Sequence, residues 1–126
     1  MMETKHKHPH HSHHFIRQLP QPDTTTTDEA LYWGEQCHQQ QIRCLDDISS
    51  CALNHRAYEF FVAASFSNNP AVSGEAYYRL WQFESEGRAP HSTTNAKDNR
   101  KRGLVYLRLA ALLRYPNAQR FIAMML

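Results

Sequence analysis

Apolar residues in this chain recur at helical steps. From Glu75 to Gly87, Ala76, Leu80 and Phe83 stand three and four residues apart, which predicts one apolar helix face closed by a glycine. Downstream, Leu104, Leu107, Ala110, Ala111 and Arg114 repeat the period, and Pro116 forces a stop. Upstream, Ala30, Gly34 and Cys37 predict the packed stripe of a helix opening at Glu29, with Thr27 or Asp28 as its N-cap. Ala57, Phe60, Phe61, Ala64 and Ser65 predict the core face of a helix capped by Asn54. After Pro116, Asn117 can cap a further helix carrying Ala118, Phe121, Ile122, Met125 and Leu126. Its apolar positions run nearly all round, so part of it needs cover from outside its own hairpin.

One stretch is open to two readings. Cys44, Leu45, Ile48, Cys51 and Ala52 also fall at helical steps, so residues 41–53 form either an extra helix or a continuation of the one before. Cys37, Cys44 and Cys51 lie seven apart and would share a face only on one continuous helix, as small buried hydrophobes. Cys51 and His55, four apart, could point together at a metal, but a convincing second pair of ligands is lacking.

The helices form a repeat. Sliding the chain on itself by 46 residues aligns Glu29 with Glu75, Ala30 with Ala76, Tyr32 with Tyr78 and Gln36 with Gln82. The same offset aligns Arg56 with Arg102, Phe60 with Tyr106, Ala64 with Ala110 and Pro70 with Pro116. A helix pair cannot bury its apolar faces alone, so repeated pairs stack. The fold expected is all-α: a short right-handed solenoid of two helix hairpins plus a C-terminal capping helix, over residues 28–126.

The run Ala76-x-Tyr78-x-Leu80 with Gly87, followed by Arg102, Tyr106, Ala110-Ala111 and Ala118-Gln119, resembles a Sel1-like repeat, a relative of the tetratricopeptide repeats. The resemblance covers one full repeat, with Glu29 to Ser65 as a degenerate copy. Trp81 stands where that family usually has glycine and Gly103 where it has alanine, and the inter-helix loop is longer. The resemblance implies a protein-binding scaffold without chemistry of its own. It also implies that the first helix of each pair lines a concave groove, which would place Trp33, Gln36, Arg79 and Gln82 there as partner-binding residues. Exposed tryptophan and arginine suit an interface, although Trp33 or Trp81 could equally cover the junction between repeats.

Charge changes this picture at two places. The net charge is only +2, which argues for neither nucleic acid nor membrane in bulk. Yet the last 30 residues set seven cations, Lys97, Arg100, Lys101, Arg102, Arg108, Arg114 and Arg120, against Asp98 alone. Cations at a helix start oppose its dipole, so this patch either serves an acidic protein, phosphate or nucleic-acid partner or is a solvated flank paired across the fold with Glu84, Glu86 or Asp46 and Asp47. The other place is residues 1–27, read as a disordered tail whose few apolar residues are Phe15, Ile16 and Leu19. Its His6, His8, His10, His11, His13 and His14 can bind nickel, zinc or copper, as an expression artefact, an incidental property or a metal-buffering function.

No phosphate-cradling glycine loop, nucleophile elbow or supported carboxylate pair is present, which predicts no enzyme activity and no required cofactor. No apolar run approaches a membrane span or a secretory signal, and three cysteines without close pairing favour a reducing compartment. The reading reached is a cytoplasmic adaptor or regulator of a protein partner. A homodimer or heterologous contact through Phe121, Ile122 and Met125 is included in it. Nucleic-acid binding by residues 97–120 and metal binding by the tail are the alternatives.

Overall fold

The computed structural model describes residues 15–44 and 46–126. They form five α-helices: α1 (Thr27–Arg43), α2 (Asp47–Ala64), α3 (Pro70–Ser85), α4 (Ala96–Leu112) and α5 (Pro116–Met125). A helical turn at 15–18 and a 3-10 turn at Pro22–Thr24 precede them. The fold is all-α. α1 packs along α2 and α3 along α4 as two hairpins, α2 joins the hairpins by lying against α3, and α5 caps α4.

Each helix start has a local cause. Thr26 caps α1 by accepting from the Glu29 backbone N–H at 3.2 Å, while Glu29 Oε1 accepts from the Thr26 N–H at 3.0 Å. This reciprocal box moves the start one or two residues ahead of the expected caps Thr27 and Asp28. Asp46, not Asn54, caps α2, accepting from the Ser49 N–H at 2.7 Å. Residues 47–53 are therefore the first two turns of α2, neither a separate helix nor part of α1. That break places Cys37 buried in α1, Cys44 at its C-cap and Cys51 exposed on α2, so the cysteines do not share a face. α3 and α5 both open on proline, at Pro70 and Pro116, where the missing N–H costs nothing.

The 46-residue offset governs burial as well as sequence. Ala30 and Ala76, Gly34 and Leu80, Cys37 and Phe83, Leu53 and Asn99, Ala57 and Gly103, Phe61 and Leu107, Ala64 and Ala110, and Val72 and Ala118 are all buried. Corresponding positions of successive units thus face the same side of the stack, the property of a helical-repeat architecture. The predicted stripes of α1, α2 and α3 are all in the core. On α4, Leu107 and Ala110 are buried and Leu104 and Ala111 half-buried, but Arg114 lies past the helix end and is exposed.

The helices approach closely at Gly34, where a Cβ would stand 2.7 Å from the Phe61 ring. α3 ends at Gly87 (φ +73°): the Gly87 N–H donates to the Glu84 carbonyl and the Arg88 N–H to the Phe83 carbonyl, a glycine-terminated C-cap. The ordered fold also begins earlier than expected. Leu19 is buried, and Phe15 and Ile16 pack on the core, so residues 15–24 belong to the domain and not to the tail. The six tail histidines, and Leu45, lie outside the described residues.

Candidate functional site

The residues singled out from sequence separate into three surroundings. On the α1/α3 face, Arg79 makes a 2.6 Å ion pair with Glu35 and donates to Gln82 Oε1 at 3.3 Å. Burial first, and then the neighbouring Glu35, raise the Glu75 carboxyl above its ordinary range, with Arg79 pulling the other way. Trp33 is half-buried against Tyr32 and Phe15, with ring centroids 5.2 and 6.4 Å away. Gln36 is half-buried beside it on α1. Arg79 is thus engaged with Gln82 and with Glu35 of α1, and Trp33 is partly covered by the N-terminal segment.

A second environment centres on Glu84, one of the acids expected to pair with the basic segment, which the structure makes a buried hub. Glu84 is 1% exposed, on the apolar stripe of α3 one turn after Leu80. Its Oε2 accepts from the Tyr58 hydroxyl at 2.9 Å and lies 2.5 Å from His91 Nε2, while its Oε1 accepts from Arg102 Nε at 3.3 Å. A buried carboxylate is costly unless its lone pairs are satisfied, and α2, the α3–α4 loop and α4 each supply a partner here. Burial raises the Tyr58 hydroxyl well above its ordinary pKa, with Tyr106 and Glu84 adding to the effect. Arg102 also donates to Asn99 Oδ1 at 2.5 Å, which removes it from the outward basic patch. The sequence signal for this hub was a lone acid at the i+4 position of an apolar stripe.

The remaining cations behave differently. Lys97, Arg100 and Lys101 are exposed, and no carboxylate among the described residues pairs with them. They line one side of a groove of about 520 Å³, whose apolar lining is Trp81 from α3, Leu104 and Leu107 from α4, and Phe121 and Met125 from α5. The Phe121 ring packs edge-on to Trp81 at 4.7 Å, and Tyr78 flanks the same indole at 5.1 Å. Trp81 thereby covers the junction between α3 and α5 while its remaining surface lines the groove. The expected basic patch and the expected partner helix, separate in sequence, meet here. Arg108 does not: it lines a second hollow with Leu112, Ile122 and Leu126 on the opposite flank of α5.

Near the first hairpin, Cys51 and His55 line a polar hollow with Asp47, Asn54 and Arg88. Among the described residues no group of three or more His, Cys, Asp or Glu side chains could hold a metal ion, so the Cys51–His55 pair gains no further ligands. No helix among them is long and apolar enough to cross a membrane. No protein-family model matches the chain, and no curated protein or solved structure is significantly similar to it. What the structure defines is a generic helical-repeat architecture; membership of the Sel1-like family is not shown.

Proposed function

We propose that the protein is a non-enzymatic adaptor or regulator that binds a protein partner in the groove between α3, α4 and α5. The observation that supports this is the conjunction of an open apolar groove with three cations on its rim that no carboxylate among the described residues pairs. Lys97 lies in the first turn of α4, where positive charge opposes the helix dipole, and Arg100 and Lys101 follow in the second turn. Exposed cations that pair with no carboxylate among the described residues suit a partner that supplies the missing negative charge. Aromatic and methionine side chains such as Trp81, Phe121 and Met125 suit the buried centre of such a contact. These features favour recognition at the end of the stack over the α1/α3 face, whose Arg79 and Gln82 already bond within the chain. The working compartment fitting this reading is the cytoplasm.

The test is affinity capture from host lysate, with and without nuclease, using the full chain and an Arg100→Glu, Lys101→Glu, Met125→Asp variant. All three residues are exposed, so the variant should keep its helical circular dichroism. A stoichiometric protein that survives nuclease and is lost with the variant is the expected result. A protein retained by the variant would move the site elsewhere. Recovery only of nucleic acid would favour the reading of residues 97–120 as a nucleic-acid surface, through the same cations.

A further inference from the structure

The repeat offers a way to ask what the groove accepts, because the molecule fills the corresponding slot of its first unit with its own chain. The groove-lining residues Lys97, Arg100, Lys101 and Leu104 stand 46 positions after Cys51, Asn54, His55 and Tyr58. Those four residues of α2 receive the connector that follows α3. Asn54 Nδ2 donates to the Arg88 carbonyl at 2.6 Å, and Arg88 Nε donates back to Asn54 Oδ1 at 3.2 Å. Cys51 and His55 line the same hollow as Arg88, Ala89 and Pro90. His91 stacks edge-on against Tyr58, with ring centroids 5.8 Å apart. Arg88 lies 4.3 Å over the Phe83 ring, and Ala89 is buried. The first slot therefore holds a short non-helical segment by side-chain contacts to its backbone plus one or two packed side chains.

In the second unit the slot has the same register but a different chemistry. Cys51, Asn54 and His55 are replaced by Lys97, Arg100 and Lys101, and the apolar surface of Trp81, Leu104, Phe121 and Met125 lies open. Among the described residues, none crosses it. We infer that this groove takes an acidic, non-helical segment of a partner protein, docked as the Arg88–His91 connector docks on α2. Aspartate or glutamate side chains meet Lys97, Arg100 and Lys101, and one bulky apolar side chain enters between Trp81 and Met125. This rests on the adaptor reading and names the class of its partner. Side chains that replaced hydrogen bonding by cationic recognition select charge, and the connector-like path selects extended or turn backbone over a helix.

The experiment uses the full chain in a Trp33→Phe background, so that Trp81 is the remaining tryptophan reporter. The probe is a synthetic peptide with a Leu-Phe pair between two Asp-Glu pairs and a proline that forbids helix. Its controls are the same peptide with Asn and Gln for the acids, a helix-stapled acidic peptide and a single-stranded RNA oligomer. Expected is a saturable change in Trp81 emission that weakens with added salt. Binding falls at least about tenfold for the amide peptide, and by as much again in the Lys97→Gln, Arg100→Gln, Lys101→Gln variant. Equal binding of the amide peptide, preference for the stapled helix or the RNA, or no response to the acidic peptide would each overturn the inference. So would a concentration-dependent dimer, seen by sedimentation, that abolishes the response, because the groove would then belong to a second copy. If the captured partner is lost with the groove variant while the acidic peptide fails to bind, the adaptor reading stands and only the partner class falls.

Discussion

At the scale of single residues, α4 ends on an unfavourable backbone conformation that a substitution should relieve. Arg114 sits at φ 67°, closing α4 with the same pair of bonds that Gly87 makes at the end of α3: the Arg114 N–H to the Ala111 carbonyl and the Tyr115 N–H to the Ala110 carbonyl. A side chain in this left-handed region costs about 1 kcal/mol, partly offset because glycine frees the unfolded chain. Arg114→Gly is therefore expected to stabilise the protein by about 0.5 kcal/mol, read from chemical denaturation. His38 gives a signed dependence on pH. Burial, and then the cations Arg88 and Arg79, depress its pKa, and Arg88 Nη2 lies 3.1 Å from its Nδ1. The folded state then binds fewer protons than the unfolded one, so stability is present above an unfolded value of about 6.5 and is lost as pH falls through it. His38→Gln should flatten the fall in melting temperature between about pH 7 and pH 5 relative to the parent chain. An unchanged slope would show that His38 is not its source.

At the scale of elements, the first hairpin closes on one tight approach and α5 covers the end of the second. Phe61 is fully buried beneath Gly34 and has no room to retreat from a Cβ at 2.7 Å. Gly34→Ala, a change that raises helix propensity, should instead destabilise by about 1–3 kcal/mol, measured by urea titration. The C-terminal helix covers Trp81 with Phe121 and buries Ala118 against α4. Removing residues 116–126 should lower the melting temperature and raise light scattering, because Trp81, Leu104 and Leu107 lose their cover. A truncated chain that melts and scatters like the full one would mean that α5 caps nothing.

At the scale of the whole molecule, the two hairpins are joined by polar as well as apolar contacts. Tyr58 of the first hairpin and Glu84 of the second share a buried hydrogen bond, and Arg88 reaches from the α3 end to both His38 and Asn54. Glu84→Ala would strand the Tyr58 hydroxyl and release His91 and Arg102, with an expected loss of about 2–3 kcal/mol in urea denaturation. The loop from Gly87 to Asn95 is anchored by these same groups, so the variant should also raise hydrogen exchange there ahead of the helices. Exchange that rises uniformly would indicate that the hub stabilises the fold without fixing that loop.

Sequence alone determined the helices, their inward faces and the 46-residue repeat, because apolar period and helix breakers act over a few neighbouring residues. The stripes Ala30–Gly34–Cys37 and Ala76–Leu80–Phe83 entered the core as their spacing implied. It did not determine the start of α2, since Asp46 and Asn54 are both good caps and only the length of chain packed against α1 selects between them. Nor did it show that residues 15–24 fold back, because Leu19 gains its burial from α-helices distant in the chain. The tertiary structure alone decided which cations are free. Arg102 and Arg100 are two residues apart on α4, yet one turns inward to Glu84 and the other out to the groove, because a helix turns about 100° per residue.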